Sequence, residues 1–428
     1  MLIYELRKMT VDQLNAVMTR QGVDLSDAIE KVRPIVESVR AGGDKKLVEF
    51  ARSLDGFKRG PLTVPKEEIR SARTRIPGQL LRALTVAKKR IERFHSKQVL
   101  KPFEFRDDCC TLGQKVVPLE RVGVYVPGGT ADYMSTVLMA CVPARIAGVG
   151  EIALCTPGRA GRVPDAILAS AYLCGITEVH AVGGAHSIAA MAYGTESIPR
   201  VQKIVGPGGA FVTAAKLLVR NDCEIDFLAG PSEILVIADI HADPQMIASD
   251  MLAQLEHDPL ARAVLVTDSR KVADKICEEL DLQLAKAIRS EIASKAAEKG
   301  AICVVARSIS EAVRFANSYA PEHLLLDVGK PDRLLDDVRN AGSVFLGRYS
   351  SVAFGDYCSG TNHILPTKGV ASMRSSLSVY DFLKIIPYQS ISEAGAIKLS
   401  KIVNVLARSE GLPAHAEAAL TRSRRMSK

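Results

Sequence analysis

An α/β fold of two Rossmann-like parallel-sheet domains, flanked by helical N- and C-terminal segments used in dimerisation, is predicted by three features of this sequence. Short apolar runs end in glycine turns and pass into helical patterns, and this unit recurs at about 25 to 30 residues. Hydrophobic residues make up 47% of the chain and charged residues 24%, values that allow large cores and exclude disorder over most of its length. A chain of 428 residues holds roughly two to three domains at about 150 residues each.

The first hundred residues read as helices. Leu25, Ile29, Val32, Val36 and Val39 recur at helical spacing until Gly42-Gly43, which are expected to stop that helix. A charged helical stretch runs from Pro65 to Gln98, broken near Pro77-Gly78. From Thr111 the period changes. Val122 to Val126 leads into Pro127-Gly-Gly129, and Glu151 to Cys155 follows. Glu178 to Val182 leads into Gly183-Gly184, and Lys203 to Val205 into Gly206-Pro-Gly-Gly209. Further strand patterns begin at Glu233, Ala263, Ala301 and Gly342, with a long helix over 269–299. After Ser375 the chain reads as helical again, near 391–408 and 412–423. The expected organisation is a helical arm over 1–24, a first α/β domain from 25–124 and 233–375, a second over 125–232, and a helical dimerisation segment over 376–428.

Composition narrows the function classes. The net charge of +8 is spread thinly, densest in the tail from Thr421 to Lys428, and no aromatic residues interleave with it. A solvated tail is favoured over a nucleic-acid footprint. The nine cysteines contain no C-x-x-C pair and sit mostly in apolar runs, which is cytosolic usage without a disulfide frame. No run of 18 uncharged apolar residues exists, and the N-terminal segment carries an acid, so neither a transmembrane helix nor a signal peptide is expected.

The usual dinucleotide fingerprint is absent. Gly148-Val-Gly-Glu-Ile-Ala153 fits its letters but precedes a strand instead of following one. P-loop, zincin and α/β-hydrolase motifs are absent too. Three glycine turns, at Gly129, Gly183-Gly184 and Gly206 to Gly209, join strands to helix starts, where free N–H groups favour an anion. Each also reads as a plain tight turn.

Four of the eight histidines lie in polar clusters: Gln254-Leu-Glu-His257-Asp258, Glu322-His323, Asp356 to His363, and Glu410 to His415. Gln254 and His257 are three apart on a predicted helix and so share a face. Imidazoles with a carboxylate suit Zn²⁺. Glu322 beside His323 places two proton-transfer groups on one loop, as an oxidation involving water requires. Spacing alone points to a metal-assisted or acid–base enzyme.

The ordered blocks resemble histidinol dehydrogenase over nearly the whole chain. They include Gly123-Val-Tyr-Val-Pro-Gly-Gly129, Lys203-Ile-Val-Gly-Pro-Gly208, Leu228-Ala-Gly-Pro-Ser-Glu233, Ala253-Gln-Leu-Glu-His-Asp258, Ala320-Pro-Glu-His323 and Gly360-Thr-Asn-His363. The resemblance implies oxidation of L-histidinol through the aldehyde to L-histidine, with two NAD⁺ and one zinc per subunit. It implies zinc on Gln254, His257, Asp356 and His415, the last from the partner of a homodimer. His323 would take the hydroxyl proton and Glu322 would activate water. Substrate contacts would come from Ser232, His363 and Glu410, together with His323 and the zinc ligands. Tyr125, His186 and Gly209 fall at positions beside the dinucleotide, which assigns 125–232 to the dinucleotide and 233–375 to zinc and catalysis. His186 and Gly209 depart from the usual Gln and Asn there, which bears on cofactor affinity or choice. A relative oxidising another small alcohol, such as a sulfonated diol, is the alternative reading. The resemblance also implies a cytoplasmic biosynthetic enzyme, with no nucleic-acid or membrane partner.

Overall fold

The computed structural model describes residues 1–20, 25–57, 61–128, 132–158, 162–228 and 230–424. Gly129 of the first glycine turn, Ala229, residues 21–24 of the expected arm and the end of the basic tail from Arg425 lie outside them. The chain divides into two compact units, residues 1–98 with 120–381 and residues 99–119 with 382–428.

The chain opens on β1 (Leu2–Glu5), followed by α1 (Val11–Met18), α2 (Leu25–Leu54), α3 (Lys66–Arg75) and α4 (Gly78–His95). The first residues are therefore strand, not helix, because Leu2 to Glu5 pair in parallel with residues 302–305. At the start of α1, Thr10 and Gln13 exchange side-chain and backbone hydrogen bonds, a reciprocal cap. As expected, the first helical run of α2 stops at Gly43, and a second run continues from it across a kink. The Gly43 φ of +53° leaves helical space, and the second helix runs to Leu54. α2 packs on helices of residues 184–219, and α3 and α4 on helices of residues 134–173.

β2 (Phe103–Arg106) and β3 (Cys110–Pro118) belong to the second unit. The first unit then continues through β4 (Arg121–Tyr125), α5 (Met134–Ala147), β5 (Glu151–Cys155) and α6 (Asp165–Leu173). Next come β6 (Glu178–His180), α7 (Gly184–Tyr193), β7 (Lys203–Val205), α8 (Ala210–Val219) and β8 (Glu224–Ile225). These strands form a parallel sheet in the order β6-β5-β4-β7-β8. The order reverses between β4 and β7, and in open α/β sheets the crevice beyond the carboxyl ends at such a point is where ligands bind.

A second parallel sheet follows, built from β9 (Glu233–Ala238), α9 (Pro244–Leu255), β10 (Arg262–Thr267), α10 (Arg270–Leu284), α11 (Ser290–Gly300) and β11 (Ala301–Val305). It is completed by α12 (Ile309–Tyr319), β12 (His323–Asp327), β13 (Ser343–Leu346) and α13 (Val352–Tyr357), in the strand order β1-β11-β10-β9-β12-β13. Every residue of β9 and β10 is buried, which explains the apolar runs Ile234 to Ala238 and Ala263 to Val266, since helices cover both faces. Ile234, Val236, Leu265 and Cys303 pack under α9 to α11, while Leu235, Ile237, Val264 and Val304 pack under α1 and α12. Fully burying each such side chain contributes about 1.5–3 kcal/mol. The expected helix over 269–299 is two helices. No glycine or proline marks the break, and the register that buries Ala293 and Ala296 in the core overrides local propensity.

The second unit ends with β14 (Leu383–Ile391), α14 (Glu393–Ser409) and α15 (Pro413–Arg424). Residues 383–391, expected within a helical segment, form an edge strand antiparallel to β3. Pro387 is tolerated there because an edge strand leaves one side of its backbone unpaired.

Candidate active site

The site is built around the first turn of β12. α12 ends at Ala320, whose φ of +50° is a left-handed conformation that alanine resists, and Pro321 prevents the helix from continuing. The chain re-enters extended structure at once, so Glu322 and His323 sit at the amino end of a central strand. Pairing with β9 sets His323 opposite Ile234. The peptide groups of Glu233 then reach both side chains: its N–H donates to Glu322 Oε2 at 2.8 Å, and its carbonyl accepts from His323 Nδ1 at 3.0 Å. A carbonyl only accepts, so Nδ1 carries a proton, and Nε2 offers a lone pair whenever the ring is neutral.

Both side chains are buried. Burial pushes the Glu322 pKa up to about 8, against the lowering influence of His323 and the Glu233 N–H. Burial alone would lower His323, but the Glu322 and Asp356 carboxylates raise it to about 9. His323 Nε2 is buried with no hydrogen-bond partner among the described residues and lies 3.6 Å from Asp356 Oδ1.

Asp356 comes from α13, a short helix capped by the Ser351 hydroxyl. Beyond it Gly360 has a φ of +119° and approaches α4 so closely that a Cβ there would stand 2.8 Å from the Arg90 carbonyl. That close approach returns the chain so that His363 Nδ1 donates to the Asp356 carbonyl at 2.7 Å. His363 Nε2 accepts from Thr136 of α5 at 3.3 Å. Burial raises the Asp356 pKa, but the imidazoles of His323, His363 and His257 outweigh it and hold the carboxyl below its ordinary value.

α9 is capped by the Asp243 carboxylate and starts on Pro244. Gln254 is buried in its last turn. The helix ends at Leu255, so His257 lies just past it instead of on its face, joined to Gln254 by a backbone hydrogen bond of 3.3 Å. His257 is an exposed residue, yet the protein around its ring lowers its pKa by desolvation, with the Asp356 charge acting the other way. Ser232 is half-buried immediately before β9, next to the Glu233 peptide. Glu410, at the end of α14, and His415, in the first turn of α15, are both exposed and belong to the second unit.

Among the described residues, three His, Cys, Asp or Glu donor atoms lie within 4.8 Å of one another only at Asp107, Asp108 and Cys109. There Asp107 accepts from the backbone N–H groups of Cys109 and Cys110, and Asp108 pairs with Lys398, so the carboxylates are already engaged. The set Gln254, His257 and Asp356 fits zinc better in its chemistry: one imidazole, a buried amide, and one ionised carboxylate 3.6 Å from a histidine nitrogen without a partner among the described residues.

The expected dinucleotide residues lie at the carboxyl ends of the five-stranded sheet. Tyr125 ends β4, is buried, and its hydroxyl accepts from the Gly184 N–H at 3.4 Å. At the reversal point Gly206, with φ of +118°, passes so near Tyr125 that a Cβ would stand 2.0 Å from its carbonyl oxygen. Gly209 caps α8 and is exposed. His186 is fully buried, with Nε2 3.0 Å from Asp55 Oδ2. The same Asp55 oxygen accepts from the Gly183 N–H at 2.8 Å, so His186 belongs to the support of this turn. Asp55, Thr136, Glu233 and Arg20, which pairs with Glu233, were not legible as site residues. Each acts across a tertiary contact with no local motif.

Comparison with known proteins shows the family. The family model for histidinol dehydrogenase matches residues 18–423. Histidinol dehydrogenase of Methanosarcina barkeri is 44% identical over 425 residues, covering 99% of this chain and 98% of that protein. The Archaeoglobus fulgidus histidinol dehydrogenase is 47% identical over 402 residues, covering 93% and 96%. The crystal structure of histidinol dehydrogenase from Elizabethkingia anophelis superposes with a TM-score of 0.96 at 34% identity, covering 100% of this chain and 99% of that one. The chain belongs to the histidinol dehydrogenase family, oxidoreductases of histidine biosynthesis.

Proposed function

We propose that this protein is a zinc-dependent L-histidinol dehydrogenase that carries L-histidinol through L-histidinaldehyde to L-histidine, reducing two NAD⁺. The observation that carries the reading is His323. Its Nδ1 proton is committed to the Glu233 carbonyl, and its Nε2 is unpartnered and faces Asp356. An imidazole so held can accept a proton at a fixed point.

Gln254, His257, Asp356 and His415 would hold zinc, and Tyr125, His186 and Gly209 border the dinucleotide, His186 through the turn it supports. When bound, zinc orients and polarises the alcohol, and NAD⁺ accepts two electrons at each stage. The chain's own residues move the protons. His323 Nε2 takes the hydroxyl proton in the first oxidation. Glu322 Oε takes a proton from the water that hydrates the aldehyde, and the second oxidation yields the carboxylate. Ser232, His363 and Glu410 would bind the polar ends of the substrate, with burial of the pair limiting competing water.

We propose that the enzyme acts as a cytoplasmic homodimer in which His415 and Glu410 complete the partner's site. Support comes from the second unit, where Phe103, Phe105, Ile385, Val405 and Leu406 are exposed apolar side chains suited to a second copy of this chain. Free cysteines throughout and the absence, among the described residues, of any helix long and apolar enough to cross a membrane are consistent with that location. The test is NADH absorbance from zinc-loaded protein given L-histidinol and NAD⁺, with a sulfonated diol in parallel. NADH from histidinol supports the reading, and NADH from the diol alone overturns it.

A further inference from the structure

Glu233 is the hinge between the proton-transfer pair and the rest of the fold. Its N–H aims Glu322 and its carbonyl fixes the tautomer of His323. Its side chain points elsewhere and is 2% exposed, and a carboxylate so buried is tolerated only when it is paired and hydrogen-bonded. Arg20 supplies a two-pronged pair, Nε to Oε2 at 2.9 Å and Nη2 to Oε1 at 3.1 Å. The Tyr319 hydroxyl adds a third bond, to Oε2 at 3.0 Å.

Arg20 also grips the turn that leads into the pair. Its guanidinium lies over the Tyr319 ring, 3.8 Å from the centroid. Its Nη2 donates to the carbonyl of Tyr319 and, at 3.3 Å, to that of Ala320. Ala320 is the residue held at φ +50°, two positions before Glu322. One side chain therefore ties the start of β9 to the strained turn before β12, and between them stand Glu322 and His323.

We infer that Arg20, Glu233 and Tyr319 are positioning residues for the Glu322–His323 pair, acting through the Glu233 backbone and the Ala320 turn. The inference rests on the proton-transfer roles proposed above. None of the three side chains has a hydrogen bond to Glu322 or His323 themselves. Loosening the Glu233 carboxylate lets the backbone of that residue shift, and the two hydrogen bonds that orient the pair, one from its N–H and one to its carbonyl, lengthen together. A lysine at position 20 keeps the charge but loses the planar fork that serves two carboxylate oxygens and two carbonyls at once.

The test uses the full-length, zinc-loaded enzyme and its Arg20→Met, Arg20→Lys and Tyr319→Phe variants, with L-histidinol and NAD⁺. Displacement of reacting groups by a remote change costs up to about 100-fold, so kcat of Arg20→Met should fall about 10- to 100-fold. KM for NAD⁺ and the zinc content per folded subunit should stay within about twofold, because Arg20, Glu233 and Tyr319 support none of the groups assigned to the dinucleotide or the metal. Arg20→Lys should recover part of the rate. Tyr319→Phe, which removes a single hydroxyl, should lose about 3- to 10-fold and decides the matter if Arg20→Met fails to fold. Unchanged kcat in the folded variants, or a loss accounted for entirely by lost zinc or raised KM, overturns the positioning role alone. An unaltered enzyme that forms no NADH overturns the functional reading and this role with it.

Discussion

His323 Nε2 stands 3.6 Å from Asp356 Oδ1, buried and without a hydrogen-bond partner among the described residues. A nitrogen in that state is costly unless something else occupies the space between them in the working enzyme. Substrate hydroxyl on the histidine and metal on the carboxylate would satisfy both groups.

His323→Asn should therefore slow the first oxidation itself. Asparagine keeps a hydrogen bond to the Glu233 carbonyl but offers no basic nitrogen. The loss should be about 10²- to 10⁴-fold, the usual worth of a positioned base, read as the rate of first NADH formation in stopped flow. A normal first phase would place the base elsewhere.

Zinc retention should depend on both units of the chain. His257→Ala and His415→Ala should each fold and dimerise yet hold much less than one zinc per subunit, because a four-ligand site loses most of its chelation with one imidazole. Metal analysis after dialysis checks this, and one tightly held zinc in His415→Ala would refute the ligand set. Mixing inactive His415→Ala and His323→Ala chains should restore activity, since some mixed sites regain both residues. No recovery after demonstrated subunit exchange would favour a site within one chain.

The turn beside the proposed dinucleotide site has its own support. Lys216 Nζ lies 2.6 Å from Asp226 Oδ1, and both residues are buried. Asp226 accepts the Gly206 N–H and Lys216 donates to the Gly206 carbonyl, so the pair grips the peptide groups on both sides of Gly206. Lys216→Met should cost about 3–5 kcal/mol in urea denaturation, because it strands a buried carboxylate, whereas Lys216→Met with Asp226→Leu should cost much less. Equal losses would show that the charge pair is not the source of the effect.

Asp55→Ala removes the acceptor shared by Gly183 and His186. KM for NAD⁺ should rise about 10-fold, the worth of one or two hydrogen bonds, with KM for histidinol unchanged. A rise confined to histidinol would contradict the assignment of this turn.

Much of the fold was legible because buried parallel strands announce themselves: Ile234 to Ala238 and Ala263 to Val266 are unbroken apolar runs. The site was less so. Glu322-His323 and Gln254 with His257 are local pairs that spacing can find. The Arg20–Glu233 contact spans 213 residues, and no local pattern encodes it. Leu2 to Glu5 and Leu383 to Ile391 were misread for the same reason, since each is a strand only because a distant partner satisfies its backbone. His186 sat in a motif associated with the dinucleotide, and only packing reveals that its ring turns inward to Asp55.

The division of labour between Glu322 and His323 is the central claim, and counting NADH in a single turnover tests it most directly. With enzyme in excess over L-histidinol, the unaltered protein should form two NADH per histidinol. Glu322→Gln keeps the size and hydrogen bonding of the side chain but removes the basic carboxylate needed only when water attacks. It should form one NADH at a near-normal rate and stall at the aldehyde. Two equivalents at normal speed from Glu322→Gln would contradict the account.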